Sequence, residues 1–102
     1  MYKDINDFII EKLKDTEEAE LYLNAALEDY MEDFDATALV IALRNLVMAQ
    51  GSVTDFAKKA GINRQHMYKI FNNEVKPQFD TISEILKALG FKLEVKSKKA
   101  CA

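Results

Sequence analysis

The segment ATALVIALRNLVMAQ, residues 36–50, constrains this chain more than any other. Wound as a helix it is apolar almost all round, with Arg44 and Asn45 the main exceptions. Such a helix sits in the middle of a core, so the remaining residues have to cover it from several sides. A chain of 102 residues, 49% hydrophobic and 30% charged, can build one modest core of that kind without staples. The longest apolar runs, such as residues 36–43, are far too short to span a bilayer, so no membrane association is expected. The first ten residues carry acids where a secretory signal would have a basic stretch and then an apolar run. The single cysteine, Cys101, excludes an intrachain disulfide and a cysteine-based metal site. A reducing, cytoplasmic setting is the expectation.

The covering elements read as helices. Ile5, Phe8, Ile9 and Leu13 recur at helical spacing, which gives a short amphipathic helix or an irregular arm over residues 4–14. Asp15 with Glu18 has the form of a capping box. Ala19, Leu23, Ala26, Leu27, Tyr30, Met31 and Phe34 then form the apolar stripe of a helix whose other face is acidic. Asp35 is placed to cap residues 36–50, and Gly51 to end them in the left-handed conformation. Ser52 and Asp55 make a second capping box before a short helix, residues 53–60, which Gly61 breaks. Asn63 caps another short helix that runs through Phe71. After the loop NNEVKPQF, Asp80 is expected to cap a last helix over residues 81–89, stopped by Gly90. Phe91, Leu93 and Val95 alternate with Lys92, Glu94 and Lys96, the pattern of one short strand. A lone strand needs a partner, either a second copy or another protein. Residues 97–102 read as a basic disordered tail.

The net charge of −3 conceals a division. Residues 1–35 hold three Lys and twelve Asp or Glu, a net of −9; residues 36–102 hold eleven Lys or Arg and five acids, a net of +6. Such asymmetry suggests two different partners, a basic one for the first part and a phosphate-bearing one for the second, although acidic residues can also merely solvate a helix. In the basic part, two short helices meet at a tight turn. Phe56, Ala57, Ala60, Ile62, Met67 and Ile70 point inward, Ala57 is small enough for a close crossing, and Gly61 supplies positive φ. This is the sequence form of a helix-turn-helix. Outward from its second helix stand Asn63, Arg64, Gln65, His66, Tyr68, Lys69, Asn72 and Asn73, without one acid. Arg matches guanine O6 and N7, and Gln matches adenine N6 and N7. Thr54, with Ser52, opens the preceding helix where backbone N–H groups can meet a phosphate. The one histidine, His66, has no companions for a metal site. No nucleophile-and-base spacing and no glycine-rich phosphate loop occurs, so neither cofactor nor enzymatic activity is expected.

Residues 52–93, with the Ala57–Gly61 spacing, the loop ending at Pro77 and the closing TISEILKALG, resemble the XRE or lambda-repressor-like helix-turn-helix family. The resemblance implies a five-helix bundle that binds DNA as a homodimer, here with an N-terminal helical extension and a short C-terminal β-strand. It places Arg64, Gln65 and Lys69 among the base-reading side chains and Thr54 on the backbone-clamping helix. YLNAALED, the MYK of the second short helix and ALGFKL extend the likeness to the HigA-type addiction-module antidote proteins, the antitoxins of type II toxin–antitoxin pairs. That resemblance implies a small basic RelE/ParE-like toxin as partner and repression of the module's own promoter. It gives residues 1–35, an acidic extension of the same fold, the toxin contact, with Glu17, Glu18, Glu28 and Asp29 as candidates, and residues 36–96 the DNA. Two other readings fit the residues: a stand-alone transcriptional regulator without a toxin, and an adaptor that has kept the fold but not DNA.

Overall fold

A computed structural model describes residues 5–98. Six helices follow one another: α1 (Ile5–Lys12), α2 (Thr16–Asp33), α3 (Thr37–Gln50), α4 (Val53–Ala60), α5 (Arg64–Phe71) and α6 (Phe79–Leu89). α3 packs against each of the other five, while α4 also packs against α5 and α6. The apolar segment therefore takes the central position. Leu39, Val40, Ala42, Leu43, Leu46 and Val47 are buried along it and join Leu13, Leu23, Phe56, Met67, Ile70 and Ile85 in one core. No single helix among the described residues is long and apolar enough to cross a membrane.

One polar residue of α3 is inside. Asn45 is 1% exposed and donates from Nδ2 to the hydroxyl of Tyr22, on α2, at 3.0 Å. Its Oδ1 is buried without a partner. A buried amide of this kind admits few alignments of α2 against α3, because sliding either helix strands both ends of the bond.

The caps follow the sequence in part. Asp15 Oδ1 accepts from the N–H groups of Glu17 and Glu18, at 2.8 and 3.2 Å. Ser52 Oγ accepts from Asp55 N–H at 3.0 Å. Asp35 stands one residue before the N-cap of α3, which is Ala36, yet its Oδ1 still accepts from Thr37 N–H at 3.0 Å. Hydrogen bonds from the Thr37 backbone, and then from its hydroxyl, hold the Asp35 carboxyl below its ordinary value of 3.8 against a small opposing effect of burial. A lowered carboxyl stabilises the fold above its ordinary pKa, and that contribution disappears as pH falls through the lowered one.

Four expectations are corrected. Asp80 does not cap α6: Gln78 takes the extended N-cap conformation, and Asp80, already inside the first turn, accepts from Thr81 N–H at 2.8 Å. There its charge still faces the positive end of the helix. Gly51, at φ 143 and ψ −142, ends α3 outside the left-handed helical region, in a conformation that only glycine adopts with ease. Met31 and Phe34 do not join the α2 stripe and are 66% and 60% exposed. Phe34 leaves the helical path at φ 58, accounting for its escape, and meets Tyr30 edge-on at 5.7 Å. No strand forms among the described residues. Residues 91–97 have no regular structure, since an alternating pattern with nothing to pair with has no ladder to complete. Cys101 and most of the tail assigned to residues 97–102 lie outside the described residues.

Replacing Tyr22 by Phe removes the acceptor of the Asn45 amide, and urea unfolding should register a loss of about 1–3 kcal/mol. The double replacement Tyr22→Phe with Asn45→Leu should cost less than the two single changes added together, since it leaves no polar group stranded.

Candidate nucleic-acid interface

The helix pair α4–α5 is set by its turn. Gly61 adopts φ 72 and ψ 26, its N–H reaches Lys58 O at 3.3 Å, and Ile62 N–H reaches Ala57 O at 3.0 Å. This paired closure satisfies the last carbonyls of α4 and reverses the chain at once. Asn63 then caps α5, its Oδ1 accepting from His66 N–H at 3.1 Å. Phe56 and Ala57 of α4 are buried, as are Met67, Ile70 and Phe71 of α5; Ala60 and Ile62 are half-buried. The inward set thus agrees with the sequence reading at most positions.

All the nominated side chains of α5 are exposed: Arg64, Gln65, His66, Tyr68 and Lys69. At 100° per residue, Arg64, Gln65, Tyr68 and Lys69, with Asn72, fall within an arc of about 140° opposite the buried stripe. His66 lies on its flank. Asn63 is at the rim as the cap. Asn73 lies past the helix, at φ 61, in the left-handed conformation that a glycine would otherwise supply. Its N–H donates to Ile70 O at 3.0 Å, so this residue also helps end α5. Thr54, exposed in the first turn of α4, comes to 3.4 Å of the Tyr68 hydroxyl. That contact, with no signature in the sequence, joins the two short helices at the surface. The arc offers guanidinium, amide, phenol and ammonium donors with no carboxylate, a set suited to phosphates and base edges. Glu74, exposed two residues past Asn72, is the nearest acid in sequence; Asp55 is in the first turn of α4, where the helix end favours it. Lys58 and Lys59 close the other end of α4.

A further anchor was not read from the sequence. Gln50 Nε2, at the end of α3, donates to Leu89 O, at the end of α6, at 3.1 Å. It ties together the two helices on which α4 rests.

The acidic candidates lie elsewhere. Glu17, Glu18, Glu28 and Asp29 are all exposed on α2. Positions 17 and 28, like 18 and 29, are three turns apart, so the four share a face about 120° wide. Ala19, Leu23 and Ala26 are buried on the opposite side. Among the residues that were not nominated, Glu32 and Leu21, the latter 68% exposed, also stand on this face. The helical wheel alone would have found both. Glu18 is also within 4.0 Å of Lys12, an exposed pair of small energetic value. Among the described residues no group of His, Cys, Asp and Glu is arranged to hold a metal ion.

Residues 4–97 match the model of a family described as "Probable addiction module antidote protein". The chain belongs to this family. Membership in the antidote family points to a regulatory rather than an enzymatic role and implies a toxin as the general class of partner. A Haemophilus influenzae protein, described only as uncharacterized, is 28% identical over 100 residues, which cover 97% of this chain and 98% of that one. No solved structure matches the chain.

Gly61→Ala meets nothing within 4 Å of the added carbon, so its cost is backbone strain alone. Thermal or denaturant unfolding should show a loss of about 1 kcal/mol, with the helical signal retained.

Proposed function

We propose that this antidote is a DNA-binding antitoxin that neutralises a small basic toxin of the RelE/ParE-like class and represses the promoter of its own module. The observation that carries the proposal is the separation of two exposed faces on one core: an acid-free donor arc on α5 and an acidic stripe on α2. The fold is then a lambda-repressor-like HigA-type bundle of the XRE class, with residues 1–35 as its acidic N-terminal extension. Residues 1–35 serve the toxin, residues 36–96 serve DNA, and both act in the cytoplasm.

On this reading α5 enters the major groove. Arg64, Gln65 and Lys69 read base edges; Tyr68, held beside Thr54, positions the helix pair against the phosphate backbone, and Asn63, His66 and Asn73 border the contact. A homodimer would present two such helices to half-sites about 34–36 Å apart. On the other side, Glu17, Glu18, Glu28 and Asp29 meet basic side chains of the toxin and speed its capture, while Leu21 gives the stripe an apolar anchor of the kind that carries binding energy. The family description favours this reading over a stand-alone regulator.

Gel shift on the upstream promoter tests the first half. Arg64→Ala should weaken operator binding by about 1–3 kcal/mol and relax discrimination at one base pair. Lys69→Ala should lower affinity as well, and unchanged affinity in both variants would support the adaptor reading.

Co-purification with the protein of the adjacent gene tests the second. Reversing Glu17 and Glu28 to Lys should weaken the complex and flatten its salt dependence, and Leu21→Ala should speed its dissociation. A promoter shift with no co-purifying partner would leave a stand-alone regulator.

A further inference from the structure

The residues after α6 form a segment whose pattern is complete but whose partner is missing. Phe91 is half-buried and packs against the core. Leu93 is 47% exposed and Val95 100% exposed. Among the described residues, no backbone hydrogen bond ties residues 92–96 to the rest of the chain. Lys92 Nζ lies 3.7 Å from Glu94 Oε2, as side chains two apart on one side of an extended segment do. The segment thus has an apolar side, Phe91–Leu93–Val95, and a charged side, Lys92–Glu94–Lys96.

We propose that this segment pairs with itself, antiparallel and centred on Leu93, to join two copies of the chain through a two-stranded ribbon. The register follows from charge. Centring on Leu93 sets Lys92 opposite Glu94 of the second copy and Glu94 opposite Lys92, while Phe91 faces Val95. Centring on Lys92 sets two lysines face to face, and centring on Glu94 opposes two glutamates and pairs Lys92 with Lys96. A parallel in-register pair stacks like on like throughout. A shift by one residue sets apolar side chains against charged ones. Opposite charges directly across a ribbon stabilise it and like charges destabilise it, so one register of this set is favoured.

The same register gives Val95 a place. Directly opposed side chains of an antiparallel pair share a face, so the second copy's Val95 comes to the side where Phe91 meets the core. A groove of about 370 Å³ opens there, lined by Leu13, Ala19, Leu46, Ala49, Leu89 and Phe91 among others. A bare two-stranded ribbon is marginal in water; one whose apolar face lies against this groove from both copies is not bare. The inference rests on the dimeric part of the reading above and is independent of the DNA and toxin assignments.

Sedimentation velocity of the full chain over a concentration series tests it. Lys92→Glu sets two glutamates opposite each other across the ribbon, and Glu94→Lys sets two lysines opposite each other; each alone should raise the dimer dissociation constant roughly tenfold. Mixing the two variants should restore a dimer, because each carries the charges the other lacks. The double exchange K92E/E94K should restore self-association. As a second measurement, Leu93→Cys in a Cys101→Ser background should crosslink under oxidation, and Lys92→Cys in the same background should not. Dimers unaffected by any of these charge changes, or failure of the mixture to associate, would overturn the ribbon while leaving dimerisation standing. A wild-type chain that stays monomeric throughout would overturn both.

Discussion

The structure depends on the burial of one helix. α3 contributes seven buried residues in a stretch of fourteen, and every other helix touches it. At about 25 cal/mol for each Å² of apolar surface removed from water, a buried Leu or Val contributes roughly 1.5–3 kcal/mol, so α3 alone carries a large share of the favourable side of folding. The other helices are too short or too polar to make a core among themselves. α4 and α5 have eight residues each, a length at which an isolated helix is marginal in water. They persist because Phe56, Ala57, Met67, Ile70 and Phe71 close against a surface that α3 holds in place.

Dependence on a shared hub lets two unlike surfaces coexist. α1 and α2 reach the rest of the molecule mainly through α3, and α4, α5 and α6 also pack on it. Neither group has to accommodate the chemistry of the other. Apolar packing is indifferent to small slides along a helix, whereas the Asn45–Tyr22 bond is not. Gln50 on Leu89 O does similar work at the far end of α3. These two polar contacts fix alignments that the hydrophobic contacts leave soft.

Much of this was legible because the signals were local. Gly61, Ser52 and Asn63 each act within three residues of their own position, and caps and turns are decided at that range. The central place of residues 36–50 was legible because an all-round apolar helix has one solution. What was not legible depended on distant partners. Asn45 and Gln50 find their acceptors 23 and 39 residues away, and nothing in their neighbourhoods announces it. Phe34 has the right spacing for the α2 stripe, but the chain turns out of the helix one residue too early for it to follow. The N-cap of α6 fell on Gln78 rather than Asp80 because capping requires extended backbone before it rewards a good side chain. On the candidate faces, composition was readable but grouping needed the helical wheel: Leu21 and Glu32 share the acidic stripe, and Asn73 belongs to the end of α5 rather than to its outward arc.

The charge division explains why the net value of −3 is uninformative for this chain. Charges act on a partner within about a Debye length, roughly 8 Å at physiological ionic strength. The described residues extend over 45 × 32 × 23 Å, so a ligand on one face is screened from much of the other. The exposed charges along α5 are Arg64 and Lys69, with Glu74 just past its end, and what a cation approaching α2 meets is the stripe from Glu17 to Glu32. A whole-molecule pI of 5.1 averages two environments that no single ligand samples together. For a protein of this size, the sign of the charge on a face is therefore the better guide to what that face can bind, and it becomes readable once the helices that carry the charges have been placed around α3.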